Sequence, residues 1–336
     1  MGYTVHMLAA LICLLAVPPT PAVMTARRAG LGTDLEIKVW LGAPSPERTA
    51  AARAVMDAAF DAIDEVEAQM SEWRPDSDVS RVNLAAGRGP VPVSPSTMQV
   101  LLRGRDVSIA SDGAFDVTWR GLGGLWDFAG GPVPDPALAR AVARRVDYRK
   151  LALDPERGTA HLARADMAIG LGGIAKGYAV DRAIAKLAAS GFANVVVTAG
   201  GDLFATGAKG PDPWRVGIKH PRQPGHLATL DARDEAVVTS GDYERFFERD
   251  GVRYHHLLDP ETGFPARGCQ AVTVVARDAM SADAFATAVF VLGPDRGLAL
   301  VERTSGVEAL VVTEAGRVRV SSGLGGRLKW NGPAPP

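Results

Sequence analysis

Two oxygen-bearing side chains stand four residues apart in the stretch SADAFAT at 281–287. In a helix, Asp283 and Thr287 would share one face and offer two oxygen ligands of the kind that Mg²⁺ accepts. The alternative is structural: Asp283 would lie near the positive end of the helix dipole, and Thr287 would bond back to its own helix. The spacing alone leaves a magnesium site and an ordinary helix start both open.

A glycine-rich stretch, DMAIGLGGIAKGY at 166–178, offers chemistry of a different kind. Its glycines allow the backbone to approach a ligand closely, and the helix that follows presents free N–H groups to an anion. Gly170, Gly172 and Ala175 fit a variant dinucleotide fingerprint, but no strand–helix–strand unit with a suitably placed acidic residue is evident, which argues against a Rossmann site. No Ser or Thr follows Lys176, which argues against a Walker loop. A phosphate-facing loop with one lysine and a purely structural turn remain.

Two adjacent histidines lie in YHHLLDPETG at 254–263, after the polar stretch TSGDYER at 239–245. In an extended segment His255 and His256 point to opposite faces, so only one of them can reach a given pocket. A histidine pair is more often structural than catalytic, yet one of the two could act as a general base. The DPETG sequence is a good turn by itself, and its Asp259 is the next candidate for a base if neither histidine serves.

Two further stretches contain aromatic residues that a flat ligand could use. In MSEWRPDSD at 70–78, Trp73 is either part of the core or a flat face for a planar ligand. In SDGAFDVT at 111–118, Asp112 and Gly113 indicate a turn, and Phe115 is most simply an anchor for the chain reversal.

Alternating strands and helices must position these stretches. Residues 35–41 alternate between apolar and polar and predict a half-buried strand, and Ser45-Pro46 predicts a helix start. The apolar face of that first helix is predicted to be Val55, Ala59, Ile63, Val66 and Met70. Further helices are predicted at 96–110, 135–146, 175–190 and 282–303. Strands are predicted at 193–199, 214–219, 235–239, 271–277, 307–313 and 316–320. The pattern is that of a mixed α/β chain with mostly antiparallel hairpins towards its C-terminal end.

Composition excludes several classes of protein. The chain has 336 residues, which suggests one large domain or two intimately packed ones, and it contains 37 basic against 38 acidic residues. With the charges nearly cancelled, no global field favours nucleic acid or a membrane surface. Cys13 and Cys269 are the only cysteines, which excludes a disulfide scaffold and a cysteine-rich metal site. The composition also excludes a polytopic membrane protein.

The first residues predict export. An apolar run at 7–17 has the length of a signal-peptide core and is too short to span a bilayer, and a proline-rich break follows it. We expect a signal peptide at 1–23 and a periplasmic protein, or one associated with the extracytoplasmic side of the membrane. Residues 1–6 contain no Lys or Arg, so the alternative is a mis-assigned start with Met24 as the true first residue and a cytoplasmic location.

In their amino-acid sequences and in their order along the chain, these stretches resemble the ApbE family, the FAD:protein FMN transferases. The matching stretches lie between about 31 and 325 and are MSEWRPDSDVSRVN, SDGAFDVT, GLGGIAKGYAVD, VTAGGD, PWRVGIKHP, VVTSGDYERFF, YHHLLDPETGFP and SADAFATAVFVLG. The resemblance implies an α+β fold, a two-lobed mixed α/β sandwich with a largely antiparallel C-terminal part and a flavin cleft between the lobes. We expect the family domain at 30–325 and a C-terminal tail at 326–336.

The resemblance also implies roles for individual residues. Trp73 takes the place of the family's usual Tyr and would stack on the flavin, whereas Leu31 replaces the usual Met. The implied flavin-binding residues are Leu31, Trp73, Ala114, Phe115, Asp116, Gly172, Gly173, Lys176, Tyr178 and Leu257. The implied magnesium ligands are Asp283, Thr287 and the carbonyls of Ala175 and Ala286. His256 would be the catalytic base, and Lys176 would hold the pyrophosphate.

The implied activity is Mg²⁺-dependent transfer of FMN from FAD to a Thr or Ser hydroxyl of an acceptor protein, with release of AMP. The implied partner is an acceptor flavoprotein subunit of a membrane redox complex. The same site could instead hydrolyse FAD to FMN and AMP, serve a flavin oxidoreductase, or hold FAD without catalysis. The Asp283 and Thr287 pair argues against a mere carrier, because storing FAD needs no metal at its pyrophosphate.

Overall fold

A computed structural model describes residues 22–332 of the chain. The predicted mixture of helices and antiparallel strands is confirmed. The strands are β1 (Ala22–Gly30), β2 (Thr33–Gly42), β3 (Val91–Pro92), β4 (Leu151–Asp154), β5 (Thr159–Leu162), β6 (Val195–Ala199), β7 (Asp202–Thr206), β8 (Trp214–Lys219), β9 (His226–Ala232), β10 (Glu235–Gly241), β11 (Phe246–Arg249), β12 (Val252–His255), β13 (Cys269–Ala276), β14 (Val307–Thr313), β15 (Val318–Val320) and β16 (Leu328–Trp330). The helices are α1 (Pro46–Met70), α2 (Asp78–Leu84), α3 (Pro95–Ala110), α4 (Pro136–Ala143), α5 (Ala175–Ala189) and α6 (Ala279–Glu302).

The centre of the fold is an eight-stranded sheet in the order β1-β2-β6-β7-β10-β13-β14-β15. Every pairing in this sheet is antiparallel. One large core lies between the sheet and the helices α1, α3, α5 and α6. A second core lies between residues of the same sheet and the small sheet β16-β9-β8. The two lobes and the cleft between them stay a prediction.

Helix α1 begins as predicted, because the Ser45 hydroxyl accepts a hydrogen bond from the Arg48 N–H and Pro46 occupies the first turn. Its buried face differs by one position from the prediction. Met56 is fully buried, whereas Val55 is only half-buried. The remaining predicted members of the face, Ala59, Ile63, Val66 and Met70, are buried.

Helix α6 is predicted as one helix but bends sharply. Gly293 has φ 77° and ψ 175°, which only glycine adopts readily, and Pro294 follows it. Among residues 22–332, α6 is the one helix long and apolar enough to cross a membrane, with a mean hydropathy of 1.4. Since 61% of that window is buried inside the protein, α6 has the surroundings of a core helix.

Strands lie outside residues 30–325 at both ends. Strand β1 begins at Ala22 and pairs along β2, through a turn in which Leu31 and Gly32 both have positive φ. Strand β16 pairs with β9, so part of the expected C-terminal tail belongs to a sheet. The predicted signal peptide lies almost wholly outside the described residues, as does Cys13.

Helices α5 and α6 approach each other closely at their N-terminal ends. A Cβ added at Gly177 would lie 2.1 Å from the Ala279 carbonyl oxygen and 2.8 Å from the Met280 Cα. These are backbone atoms, which cannot turn aside as a flexible side chain can. The absence of a side chain at Gly177 therefore sets how near the two helices lie.

We predict that Gly177→Ala destabilises the protein by about 1–3 kcal/mol, the usual cost of overpacking a core, although alanine is the better helix former. The free energy of unfolding from urea denaturation measures this. Gly89→Ala is the matched control, because a Cβ there has no heavy atom within 4 Å, and its stability should be nearly unchanged. A Gly177→Ala variant as stable as the parent would contradict the close helix contact.

Candidate functional site

The N-terminal ends of α5 and α6 bring together the predicted metal ligands and the glycine-rich loop. Asp283 Oδ2 accepts a hydrogen bond from the Gly177 N–H at 3.0 Å. A Cβ added at Gly173 would lie 3.2 Å from Thr287 Oγ1 and 3.4 Å from the Phe115 ring. The loop therefore runs directly against Thr287, and Asp283 lies against the first turn of α5.

The donor atoms at this junction fit a hard cation. The Asp283 side chain is buried; burial and the charge of Asp202, opposed by Lys176, raise its pKa to about 6. Thr287 Oγ1 lies 3.5 Å from Ser240 Oγ, within reach of a weak hydrogen bond. A carboxylate, a hydroxyl and main-chain carbonyls are the oxygen donors that Mg²⁺ prefers. Asp283 and Thr287 thus fit the metal that the sequence predicts.

The protein offers few charged ligands for such a cation. Residues 22–332 contain no group of three or more His, Cys, Asp or Glu that could hold a metal ion. Ala175 is the first residue of α5, and Ala286 is fully buried within α6. Helix geometry directs both carbonyls towards the N–H four residues on, so either could only share its oxygen with a cation. Magnesium bound here would take its remaining ligands from substrate phosphate oxygens and water, as it commonly does.

Lys176 forms an ion pair with Asp202, a residue to which the sequence analysis assigned no role. Asp202 is buried, and its other oxygen accepts the Thr239 N–H at 3.4 Å. Burial lowers the pKa of Lys176, but the charges of Asp202 and Asp283 outweigh it and raise the pKa above its usual value. Lys176 therefore stays positively charged at any physiological pH. In the sequence, the feature that could have indicated a role for Asp202 is the pair Gly200-Gly201 directly before it, at the end of a buried strand.

The two histidines lie in different surroundings, as the extended segment predicts. His255 ends β12 and is buried, with Nε2 3.0 Å from the Ala266 carbonyl oxygen and the ring edge-on to Phe290. His256 follows it, and its backbone N–H donates to the Arg245 carbonyl at 3.1 Å. The Nδ1 atoms of both rings are buried without a hydrogen-bond partner. The charge of Lys176 is one of the influences on the pKa of His256.

His256 is a neutral imidazole at pH 7. Burial, the charge of His255 and the cations Arg245 and Lys176 lower its pKa to about 4, well below the 6.5 expected for an unperturbed ring. It is therefore able to accept a proton, although it is a weaker base than predicted. The reserve candidate, Asp259, is engaged in its own turn, because its two carboxylate oxygens accept the Glu261 N–H at 2.9 Å and the Thr262 hydroxyl at 3.0 Å.

Trp73 is 77% exposed, which excludes the core interpretation. The Arg120 guanidinium lies 5.3 Å from the centre of its ring, and Arg120 Nε is 3.2 Å from Glu72 Oε2. Burial raises the pKa of Glu72, and the charges of Arg120 and Arg245 oppose this effect. Sequence reasoning missed Arg120, which contacts the tryptophan ring, and the ion pair of Arg120 with Glu72.

Asp116 has a supporting role rather than a ligand-facing one. Its Oδ1 accepts both the N–H and the hydroxyl of Thr118 at 2.7 Å, and its Oδ2 accepts the Tyr148 N–H at 2.8 Å. Burial raises its pKa. The carboxylate thus fixes the turn that carries Phe115 towards the glycine loop, while the neighbouring Ala114 is half-buried.

Three other residues predicted to bind flavin, Tyr178, Leu257 and Leu31, lie in three separate parts of the fold. The Tyr178 side chain is buried and its hydroxyl donates to Gln99 Oε1 of α3 at 3.3 Å, so that hydroxyl is directed towards α3. Leu257 is a buried core residue. Leu31 lies in the β1–β2 turn, where its N–H donates to Glu67 Oε2 at 3.0 Å. That turn neighbours the loop before Asp202, since a Cβ at Gly200 would lie 2.6 Å from Thr33 Oγ1.

Comparison with known proteins identifies the family of this chain. A family model described as the ApbE family matches residues 31–311. The chain is 37% identical over 318 residues to the FAD:protein FMN transferase of Treponema pallidum (strain Nichols). The alignment covers 89% of this chain and 87% of that protein. A relative of the same name from Klebsiella pneumoniae (strain 342) is 33% identical over 268 residues, 78% of this chain and 83% of that one.

Two solved structures share the fold. The ApbE protein from Thermotoga maritima superposes with a TM-score of 0.81 and 33% identity, covering 90% of this chain and 98% of that one. The apo form of the Pseudomonas stutzeri flavinyl transferase ApbE gives a TM-score of 0.79 and 31% identity, covering 91% and 97%. With a family model over most of its length and relatives above 30% identity along most of both chains, this chain belongs to the ApbE family.

Proposed function

We propose that this protein is an FAD:protein FMN transferase, which moves FMN from FAD to a Thr or Ser hydroxyl of an acceptor protein and releases AMP. The observation that carries the proposal is the meeting of four features at one junction. A buried carboxylate, a hydroxyl, a permanently charged lysine and a glycine loop surround the N-terminal end of α5, with a neutral histidine near the lysine.

The charges of the site suit a pyrophosphate. FAD carries a dianionic pyrophosphate, and transfer of a phosphoryl-type group depends mainly on positioning and neutralisation of charge. Lys176 and the N–H groups around Gly172 and Gly173 provide positive potential from the protein. Magnesium held by Asp283 and Thr287 would neutralise the phosphate oxygens further. Trp73 offers its exposed face to the flavin ring at the surface.

The remaining step is proton transfer. The acceptor hydroxyl attacks the phosphorus on the FMN side, the bridging P–O bond breaks, and AMP leaves with the bridging oxygen. An alkyl hydroxyl is a poor nucleophile at neutral pH, so a base in hydrogen-bond reach contributes roughly 10²- to 10⁴-fold. His256 is neutral and lies near Lys176, which supports its assignment as the group that takes this proton.

We extend the proposal to the partner and the location. The acceptor would be a flavoprotein subunit of a membrane redox complex, with its flavin-carrying part outside the cytoplasm. The support is the apolar run at 7–17, which has the length of a signal-peptide core. Cleavage near residues 20–23 would leave strand β1, which begins at Ala22, almost whole.

We expect AMP release from FAD to require both Mg²⁺ and an acceptor, and Asp283→Ala to reduce it by about a hundredfold or more, as loss of a charge-stabilising group does. FAD affinity should fall much less, because ring stacking persists. AMP is measured by chromatography and bound flavin by in-gel fluorescence. Asp295→Ala is the control, since Asp295 lies on the same helix with its side chain 87% exposed. AMP release without acceptor would instead indicate a hydrolase, and its absence in both cases would indicate an FAD carrier.

His256→Ala should bind FAD and Mg²⁺ normally but transfer FMN about a hundredfold more slowly, the contribution expected of a general base. His255→Gln is the matched control, because glutamine keeps a group that can donate to the Ala266 carbonyl, and transfer should continue. Single-turnover transfer to an acceptor measures both. An inactive His255→Gln beside a fully active His256→Ala would reverse the assignment.

The pH dependence of transfer tests the same base. A histidine loses its function as a base when it becomes protonated below its pKa, which burial lowers to about 4 here. At saturating Mg²⁺, kcat/KM should therefore hold from neutral pH to about 5 and decline only as the pH approaches 4. A decline centred near 6.5 that vanishes in His256→Ala would show that the ring is not held in the buried environment described here.

Trp73→Ala should weaken FAD binding by about 1–3 kcal/mol, the loss typical of stacking on an aromatic side chain. Its melting temperature should stay the same, because the ring is 77% exposed. Trp73→Tyr should bind nearly as well as the parent. Leu84→Ala, another exposed apolar residue at 71%, is the control, and flavin fluorescence gives the dissociation constants. An unchanged dissociation constant in Trp73→Ala would remove the ring from the flavin site.

A further inference from the structure

Asp181 lies on α5, at the end of the stretch GLGGIAKGYAVD, and the proposed function gives its carboxylate no role. Its carboxylate accepts hydrogen bonds from the first two N–H groups of α6, Oδ1 from Ala279 at 2.8 Å and Oδ2 from Met280 at 2.9 Å. These N–H groups have no partner within their own helix, because the first turn of any helix leaves its donors free. Asp181 thus connects the body of α5 to the start of α6.

The start of α6 does not need Asp181 in order to form. Asp278 is the N-cap of the helix, and its side chain accepts the Ser281 N–H at 2.7 Å. A cap from its own chain neighbour is the usual way in which a helix satisfies these donors. Asp181 is a second acid at this helix start, but it belongs to a different helix almost a hundred residues away. It therefore connects two helices, whereas Asp278 caps its own.

The connection lies beside the proposed metal ligands. Asp283 follows Met280 by three residues, so it sits in the turn of α6 next to the one that Asp181 holds. On the side of α5, Gly177 contacts Ala279 at the closest approach and donates its N–H to Asp283. Asp181 lies one turn further along α5. The two bonds of Asp181 and the one bond of Asp283 therefore fix α6 on α5 together.

We propose that Asp181 is a positioning residue for the magnesium site: it holds the first turn of α6 on α5 and so fixes Asp283 and Thr287 relative to Ala175 and Lys176. The proposal rests on the magnesium site of the proposed function. Mg²⁺ demands nearly ideal geometry at short oxygen distances, so a small shift between the two helices weakens coordination. Residues that orient metal ligands without touching the metal typically change affinity 10- to 100-fold when they are replaced.

Metal binding to the FAD-loaded protein, with Mn²⁺ as the probe and electron paramagnetic resonance to measure the free ion, tests this role. Asp181→Ala should weaken Mn²⁺ binding about tenfold or more. Asp181→Asn keeps one acceptor oxygen and should lie between Asp181→Ala and the parent. FAD affinity in the presence of a chelator should be nearly unchanged in both variants, and excess Mg²⁺ should restore much of their transfer rate.

Asp278→Ala is the matched control, because the hydrogen bond that it removes caps the same end of α6 and joins no residue of α5. It should lower the melting temperature and keep Mn²⁺ affinity close to that of the parent.

If Asp278→Ala weakens Mn²⁺ binding as much as Asp181→Ala does at an equal loss of stability, Asp181 acts only as a cap and the proposal is overturned. Unchanged Mn²⁺ affinity in both Asp181 variants overturns it too. Should Asp181→Ala fail to fold, Asp181→Asn decides the outcome. If the parent protein loaded with FAD binds no Mn²⁺, the result contradicts the magnesium site of the proposed function itself.

Discussion

The close contact between the N-terminal ends of α5 and α6 is the constraint on which the rest of the site depends. The Gly177 backbone lies so near Ala279 that no side chain fits between them. This proximity brings the Gly177 N–H to Asp283 and the glycine loop to Thr287. The central sheet supports the pair from below, since α6 packs across β10 and β13 and α5 packs against β6 and β7.

The electrostatics of the junction follow from that contact. Lys176 pairs with the buried Asp202, and the buried Asp283 also acts on its charge, so two negative charges share one positive charge. A buried charge costs free energy unless a partner or a hydrogen bond compensates it. The raised pKa of Asp283, at about 6, expresses this incomplete compensation. A cation at Asp283 would restore the balance of charge, while Lys176 keeps its ion pair with Asp202. The excess of negative charge from Asp202 and Asp283 over Lys176 is therefore what makes the site suitable for a metal cation.

Much of this could be predicted from the sequence, because local patterns determine it. Periodicity, with the Ser45 cap for α1, predicted α1, α5 and several strands, and the spacing of Asp283 and Thr287 predicted one shared helix face. The long strands β1 and β9 were missed. The missed features depend on partners far along the chain. Asp202 is 26 residues from Lys176, and Asp181 is 98 residues from Ala279. Strands β11 and β12 have four residues each, too few to show a period. The low pKa of His256 arises from burial and from cations that only the folded chain brings near.

The lowered pKa of His256 shows how the parts of the site limit one another. Burial and the cations that suit a pyrophosphate also disfavour protonation of the ring. A base with a pKa near 4 has a weak pull on the proton of a hydroxyl whose own pKa is high. In the proposed mechanism the reaction therefore depends more on neutralising the phosphate than on removing the proton. Burial has a compensating effect, because it also limits the access of water to the base. A more exposed histidine would be a stronger base, and it would activate water as readily as an acceptor hydroxyl. In the proposed mechanism the site thus gives up basic strength at His256, and the limited access of water to that base favours transfer over hydrolysis.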